Sequence, residues 1–197
     1  MLFHESIFIF AFLPLVVPLY LLFKIKLDTK ISIIFLGIAS IIFYGYWDIK
    51  YVPLLIISII FNYFIGQKLI KELNKNTLIL SVAIFINLFL LILFKYSSMI
   101  INNINTIFNF NFNLNYPDLP LGISFFTFLQ IAYIVDCSKA KVKKTSFSSY
   151  FLFVSFFPHL IAGPLVHHKD LIPQFSGKSK KIVENISVGL IIFGIGL

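Results

Sequence analysis

The feature that most constrains this chain is a succession of apolar runs, each close to the length that crosses a bilayer as a helix. They fall at residues 7–23, 31–47, 51–66, 77–94, 119–135, 147–166 and 182–197. An α-helix rises about 1.5 Å per residue, so roughly 20 residues traverse a hydrocarbon core about 30 Å thick. Inside lipid every backbone N–H and C=O needs a partner within the chain, and runs of this length satisfy that need as helices. Composition agrees: 59% of the 197 residues are hydrophobic and 12% are charged, with a mean hydropathy of +0.95. A water-soluble domain of this size would need a far more polar exterior. The expected fold is all-α: a polytopic integral membrane protein with about six transmembrane helices plus a re-entrant hairpin. It reads as a single transmembrane domain over residues 1–197, with N-terminal helices in 5–98, a motif-bearing region in 119–175 and a partial helix in 182–197. The opening MLFHESIFIF lacks a basic region and a small-residue cleavage site, so the first run is expected to persist as a helix rather than to be removed.

The charged residues order these helices. The chain carries 16 lysines and no arginine, for a formal net charge of +8. Lys24, Lys26 and Lys30 follow the first run, Lys50 the second, Lys68, Lys71 and Lys75 the third, and Lys95 the fourth. Lys139, Lys141, Lys143 and Lys144 follow the fifth. Lysine-rich and lysine-poor loops thus alternate, which puts the N-terminus outside and the lysine-rich loops in the cytoplasm. The same distribution argues against nucleic acid, since no basic stripe with interleaved aromatics exists. Cys137 is the only cysteine, which excludes an internal disulfide and any multi-cysteine metal site. The stretch FNFNFNLN is too polar to span and reads, within residues 102–115, as an interfacial loop or short amphipathic piece. Tyr44, Tyr46 and Trp47 match an aromatic belt at the outer end of the second run.

The sixth run breaks the alternation. Lys169, Lys178, Lys180 and Lys181 follow it, so two consecutive loops are basic. This predicts that residues 147–166 enter and leave on one side, turning where Pro158 removes a backbone donor and Gly163–Pro164 breaks the helix again; the alternative is an ordinary kinked span that departs from the charge rule. Such a hairpin needs to be buried in protein or to line a wet cavity. His159 lies within it. One reading is a neutral imidazole satisfied by a freed carbonyl; the other is a residue lining a substrate cavity. His167, His168, Lys169 and Asp170 follow the break, either as a solvated loop or as a polar mouth attracting an anionic ligand. No metal is expected there, because adjacent histidines point in different directions and no third ligand is evident in the sequence. In the fifth run, Gly122, Ser124, Thr127 and Gln130 suit close helix packing, and Gln130 is also a candidate to face the cavity of His159. Asp136 ends that run, where hydration makes its charge tolerable.

Two blocks carry a resemblance. LPLGISFFTFLQIAYIVD at 119–136 resembles the "P-x-G-I-S-F-[FY]-T-F-Q-x-x-[SA]-Y-x-[VI]-D" block of the membrane-bound O-acyltransferase family. FFPHLIAGPLVHHKDLIPQF at 156–175 is similar to that family's "F-F-P-x-L-x-A-G-P" block, which continues to a "P-Q" pair. The likeness is to the alginate O-acetyltransferase subgroup and its peptidoglycan relatives, and it covers the N-terminal part of a member. Leu129 departs from the pattern, which has Gln there; Gln130 follows one position later. The resemblance implies acyl transfer, most simply of acetyl, from a cytoplasmic thioester such as acetyl-CoA to an extracytoplasmic polysaccharide. It implies no bound cofactor, a location in the bacterial cytoplasmic (inner) membrane, and an extracytoplasmic acetyltransferase partner. The family's catalytic histidine lies downstream of the second block, so none of the four histidines here matches it; His159 is only a candidate base. The resemblance therefore implies a chain inactive alone, completed by a C-terminal remainder. The candidate donor cavity comprises His159, Gly163, Pro164, His167, His168 and Gln130.

Two other classes fit parts of the pattern. A transporter or channel also uses broken helices with polar groups at depth, but it would carry an inverted repeat, and none is visible. A non-catalytic scaffold subunit would tolerate replacement of Gly163 and Pro164, whereas a donor site would not.

Overall fold

The computed structural model describes residues 5–71, 77–108, 118–142, 145–160, 166–176 and 182–196. Among these residues the secondary structure is helical throughout. The first run forms a π-helical turn, Phe8–Phe12, that continues into α1, Leu13–Lys26. Pro14 accounts for the wide turn: a proline ring presses on the carbonyl four residues back. The Leu13 N–H instead reaches the Phe8 carbonyl, the longer register that relieves such crowding.

Helix α2, Thr29–Trp47, is capped by Asp28, whose carboxylate accepts the Lys30 N–H. A 3-10 turn, Ile49–Tyr51, leads into α3, Val52–Lys71, and α4 is Thr77–Lys95. Among the described residues, the helices long and apolar enough to cross a membrane are Phe8–Lys26, Thr29–Trp47, Ile49–Lys71 and Thr77–Lys95. The third run is therefore longer than its apolar core suggested, continuing through Lys68 to Lys71. Ile57, Phe64, Phe85 and Phe89 stand exposed along α3 and α4. Lipid is the solvent that suits such a surface.

Helix α5, Ser97–Phe108, is amphipathic: Met99, Ile100, Ile104 and Ile107 recur at helical spacing among asparagines. That matches the interfacial piece expected here, although residues 109–117 lie outside those described. Helix α6, Ile123–Ser138, starts after Gly122, whose φ of 68° is the left-handed region that favours glycine. It buries Ile123, Phe126, Gln130, Tyr133, Ile134 and Cys137, residues from more than one face, because α3 and α4 flank it. At 16 residues it is shorter than the four spanning helices, as is α10, Ile182–Gly196, at 15.

The sixth run does not continue as one helix. α7, Phe147–Ser155, ends at Phe156, whose ψ of 109° leaves the helical region, and α8 is the short Phe157–Leu160. Nine residues rise about 13 Å, under half the hydrocarbon thickness. Pro158 does not interrupt a helix here. It sits in the first turn of α8, where an N–H has no helical partner to lose. The entry point lies beside the lysine-bearing end of α3, where Tyr63 and Gln67 donate to the Thr145 carbonyl at 3.3 and 3.4 Å. The tip reaches the middle of α2: the Phe157 N–H donates to Ser40 Oγ at 3.3 Å, and Phe151 lies against Gly37. Phe8, Phe12, Phe43 and Phe157 stack around this tip with ring centroids 5.2 to 6.1 Å apart. The chain then returns to the end it entered from, since His167 and His168 lie beside Asp136 at the close of α6. The return continues as α9, His168–Ser176. The hairpin read from the lysine count is thus the observed shape; Gly163 and Pro164 fall within residues 161–165, outside those described.

Candidate functional site

Three polar groups are set into this apolar bundle. The first joins α3, α4 and α6. Asn62 Nδ2 donates to Asn87 Oδ1 at 3.0 Å and to Gln130 Oε1, while Asn87 Nδ2 returns a bond to Asn62 Oδ1 at 2.8 Å. Ser58 Oγ also donates to Gln130 Oε1, at 3.1 Å. Asn62 and Gln130 are fully enclosed and Asn87 nearly so. Gln130 Oε1 is thus bonded to α3 across the seam, while its buried Nε2 has no hydrogen-bond partner among the described residues.

The second group is the hairpin tip. Where a helix breaks, its carbonyls and amides lose partners. Had α7 continued, Phe157 would have bonded the Phe153 carbonyl. Instead Phe157 bonds Ser40, and His159 Nε2 takes the Phe153 carbonyl at 3.1 Å. The carbonyl accepts, so that ring nitrogen carries hydrogen. Phe125, Phe153 and Phe156 surround the imidazole, with centroids 5.4 to 6.5 Å away. His159 is thus buried, with Nε2 bonded to a carbonyl that the break released.

The third group is Asp136, His167 and His168. The two Nδ1 atoms lie 3.7 and 3.8 Å from Asp136 Oδ2. His168 is buried and His167 exposed. Burial pushes the His168 imidazole below its ordinary pKa, against the upward pull of Asp136. Asp136 Oδ2 and His168 Nε2 are buried without a hydrogen-bond partner among the described residues. Beside the pair opens a cavity of about 170 Å³, walled by Phe128, Leu129, Ala132, Phe153, Val166, His167 and His168.

Of the expected cavity residues, His167 and His168 line this opening, while His159 and Gln130 do not. Gly163 and Pro164 lie outside the described residues. Asp136 is the residue that sequence reasoning misplaced: it was expected to be hydrated, yet it is 9% exposed and faces both histidines. Asn62 and Asn87 were not singled out at all. Their signal was present, as single amides in the middle of otherwise apolar runs.

The chain has recognisable relatives. It is 40% identical over 228 aligned residues to a peptidoglycan O-acetyltransferase of Helicobacter pylori, an alignment covering 100% of this chain and 43% of that protein. It is 34% identical over 192 residues to a probable alginate O-acetylase AlgI of Pseudomonas aeruginosa, covering 92% of this chain and 36% of that one. A probable alginate O-acetylase AlgI of Azotobacter vinelandii is 32% identical over 188 residues, with 91% and 37% covered. The chain thus spans about two fifths of the length of these curated relatives. No protein-family model matches it, and no solved structure does.

Proposed function

Because this multi-pass chain is homologous along its length to O-acetyltransferases of the membrane-bound O-acyltransferase type, we propose that it serves acetyl transfer to an extracytoplasmic polysaccharide. The observation that carries this reading is the 40% identity to a peptidoglycan O-acetyltransferase across the whole chain. The reaction moves an acetyl group from an acyl donor, a thioester such as acetyl-CoA, to a sugar hydroxyl. The hydroxyl oxygen attacks the carbonyl carbon, the C–S bond breaks, a base takes the hydroxyl proton, and the thiol leaves.

This span's part is the donor side. In this reading the donor approaches from the face where the hairpin α7–α8 begins, and the cavity lined by His167 and His168 receives part of it. Lys169 adds positive charge near the mouth for the donor's phosphates. His159 is buried among Phe125, Phe153 and Phe156 and its Nε2 donates to the Phe153 carbonyl, so this reading gives it a structural part at the hairpin tip. The reading places the base in the remaining length of the relatives. It sets the lysine-rich end in the cytoplasm, the N-terminus outside, the membrane as the bacterial inner membrane, and an extracytoplasmic acetyltransferase as partner.

Deleting the gene should lower the base-labile acetate released from the cell's polysaccharides, and restoring it should recover that acetate. Unchanged acetate would refute the reading. The chain reconstituted alone in liposomes with acetyl-CoA should give no acetylated glycan; sustained turnover would overturn the assignment of the base to another segment.

A further inference from the structure

We propose that Asp136, His167 and His168 bind a divalent first-row transition-metal ion of the zinc class, clipping the end of α6 to the start of α9. The first support is an unmet need. Asp136 Oδ2 is buried and accepts no hydrogen bond among the described residues, and the imidazole nitrogens at 3.7 and 3.8 Å are too far to donate one. A buried carboxylate oxygen in that state is costly unless a cation meets it.

The second support is spacing. Zinc bonds of about 2.0–2.1 Å in a tetrahedron put neighbouring ligand atoms about 3.4 Å apart. The three candidate ligand atoms all lie within 4.8 Å of one another, and two of the edges are 3.7 and 3.8 Å. His167, with most of its side chain in solvent, is the ligand that would turn to close the remainder. Adjacent histidines usually diverge, but His167 precedes α9 and His168 is its first residue, so the local chain turn lets both Nδ1 atoms face Asp136.

The third support is donor chemistry. Two imidazoles and one carboxylate suit zinc, iron or nickel in preference to the all-oxygen sites of magnesium and calcium. Three protein ligands leave a fourth position open, and His167, with 61% of its side chain exposed, gives an ion a path in. The His168 ring packs at a steep angle against the rings of Tyr133 and Phe153, with centroids 5.5 and 6.3 Å away, which holds it in place. Whether or not the chain takes part in acetyl transfer, the site stands on these groups.

The test uses the full chain in nanodiscs, purified without a histidine tag. After zinc loading and gel filtration, metal analysis should find about one zinc per chain, and cobalt loading should give the visible bands of a tetrahedral site. Asp136→Asn and His167→Ala should weaken zinc binding beyond the ~10–100-fold that outer-shell partners typically cost. His167 is exposed, so H167A should keep the metal-free circular dichroism of the parent, and a raised thermal midpoint with zinc should appear in the parent alone. Zinc retention by the parent no greater than by H167A would overturn the proposal, as would binding by Asp136→Asn equal to the parent's.

Discussion

Replacing Asn62 with alanine tests what holds the bundle's core together. Asn62 makes three interhelical hydrogen bonds, two with Asn87 and one with Gln130. Within membranes such bonds average about 0.6 kcal/mol each, so their loss costs about 2 kcal/mol. The change also strands Asn87 Oδ1, buried with no other donor given to it, and a stranded group adds about 1–3 kcal/mol. N62A should therefore lose about 3–5 kcal/mol. Asn87→Ala strands Asn62 Oδ1 in the same way. The double variant removes both partners, and with them the stranded groups. Its cost should fall short of the sum of the singles by more than about 1 kcal/mol, the mark of a coupled pair. Reversible unfolding in mixed detergent micelles, followed by circular dichroism, measures all four corners of the cycle. Additive costs within about 0.5 kcal/mol would refute the reasoning.

Ser40→Ala removes the acceptor for the Phe157 amide and should cost about 1–2 kcal/mol, seen as faster amide exchange at the hairpin tip; unchanged exchange there would count against the assignment. His159→Phe should lower thermal stability by stranding the Phe153 carbonyl, whereas His159→Gln, which keeps a donor, should recover part of the loss. Gly66→Ala sets a methyl 2.7 Å from the Tyr133 ring and 3.3 Å from Cys137 Sγ, so it should force α3 from α6 at a cost of about 1–3 kcal/mol in the same unfolding assay. With Cys137 replaced by serine, Lys169→Cys should resist an impermeant thiol reagent applied to intact spheroplasts and react after lysis; labelling of intact spheroplasts would reverse the membrane orientation.

The spanning helices were legible because lipid imposes one rule on every residue they contain. The hairpin was legible from a bookkeeping of lysines that no local propensity carries. Its break was misassigned to Pro158 because a proline in a run looks the same whether it stops one helix or starts another; only the partners of Phe153 and Phe157 decide. Asp136 escaped notice for a different reason. The histidines beside it are about thirty positions onward, and proximity of that kind depends on where the hairpin returns. Asn62 and Asn87 were passed over, although a lone amide in a bilayer-length run needs a partner on another helix.

The three phenylalanine rings about Phe157, with the Ser40 latch among them, have a mechanical consequence. They rivet the hairpin's apex to the first two helices, so the apex is a fixed abutment rather than a swinging door. Movement at the proposed donor site then falls to α9, which buries His168 and Phe175 and leaves Lys169, Asp170, Pro173 and Gln174 exposed.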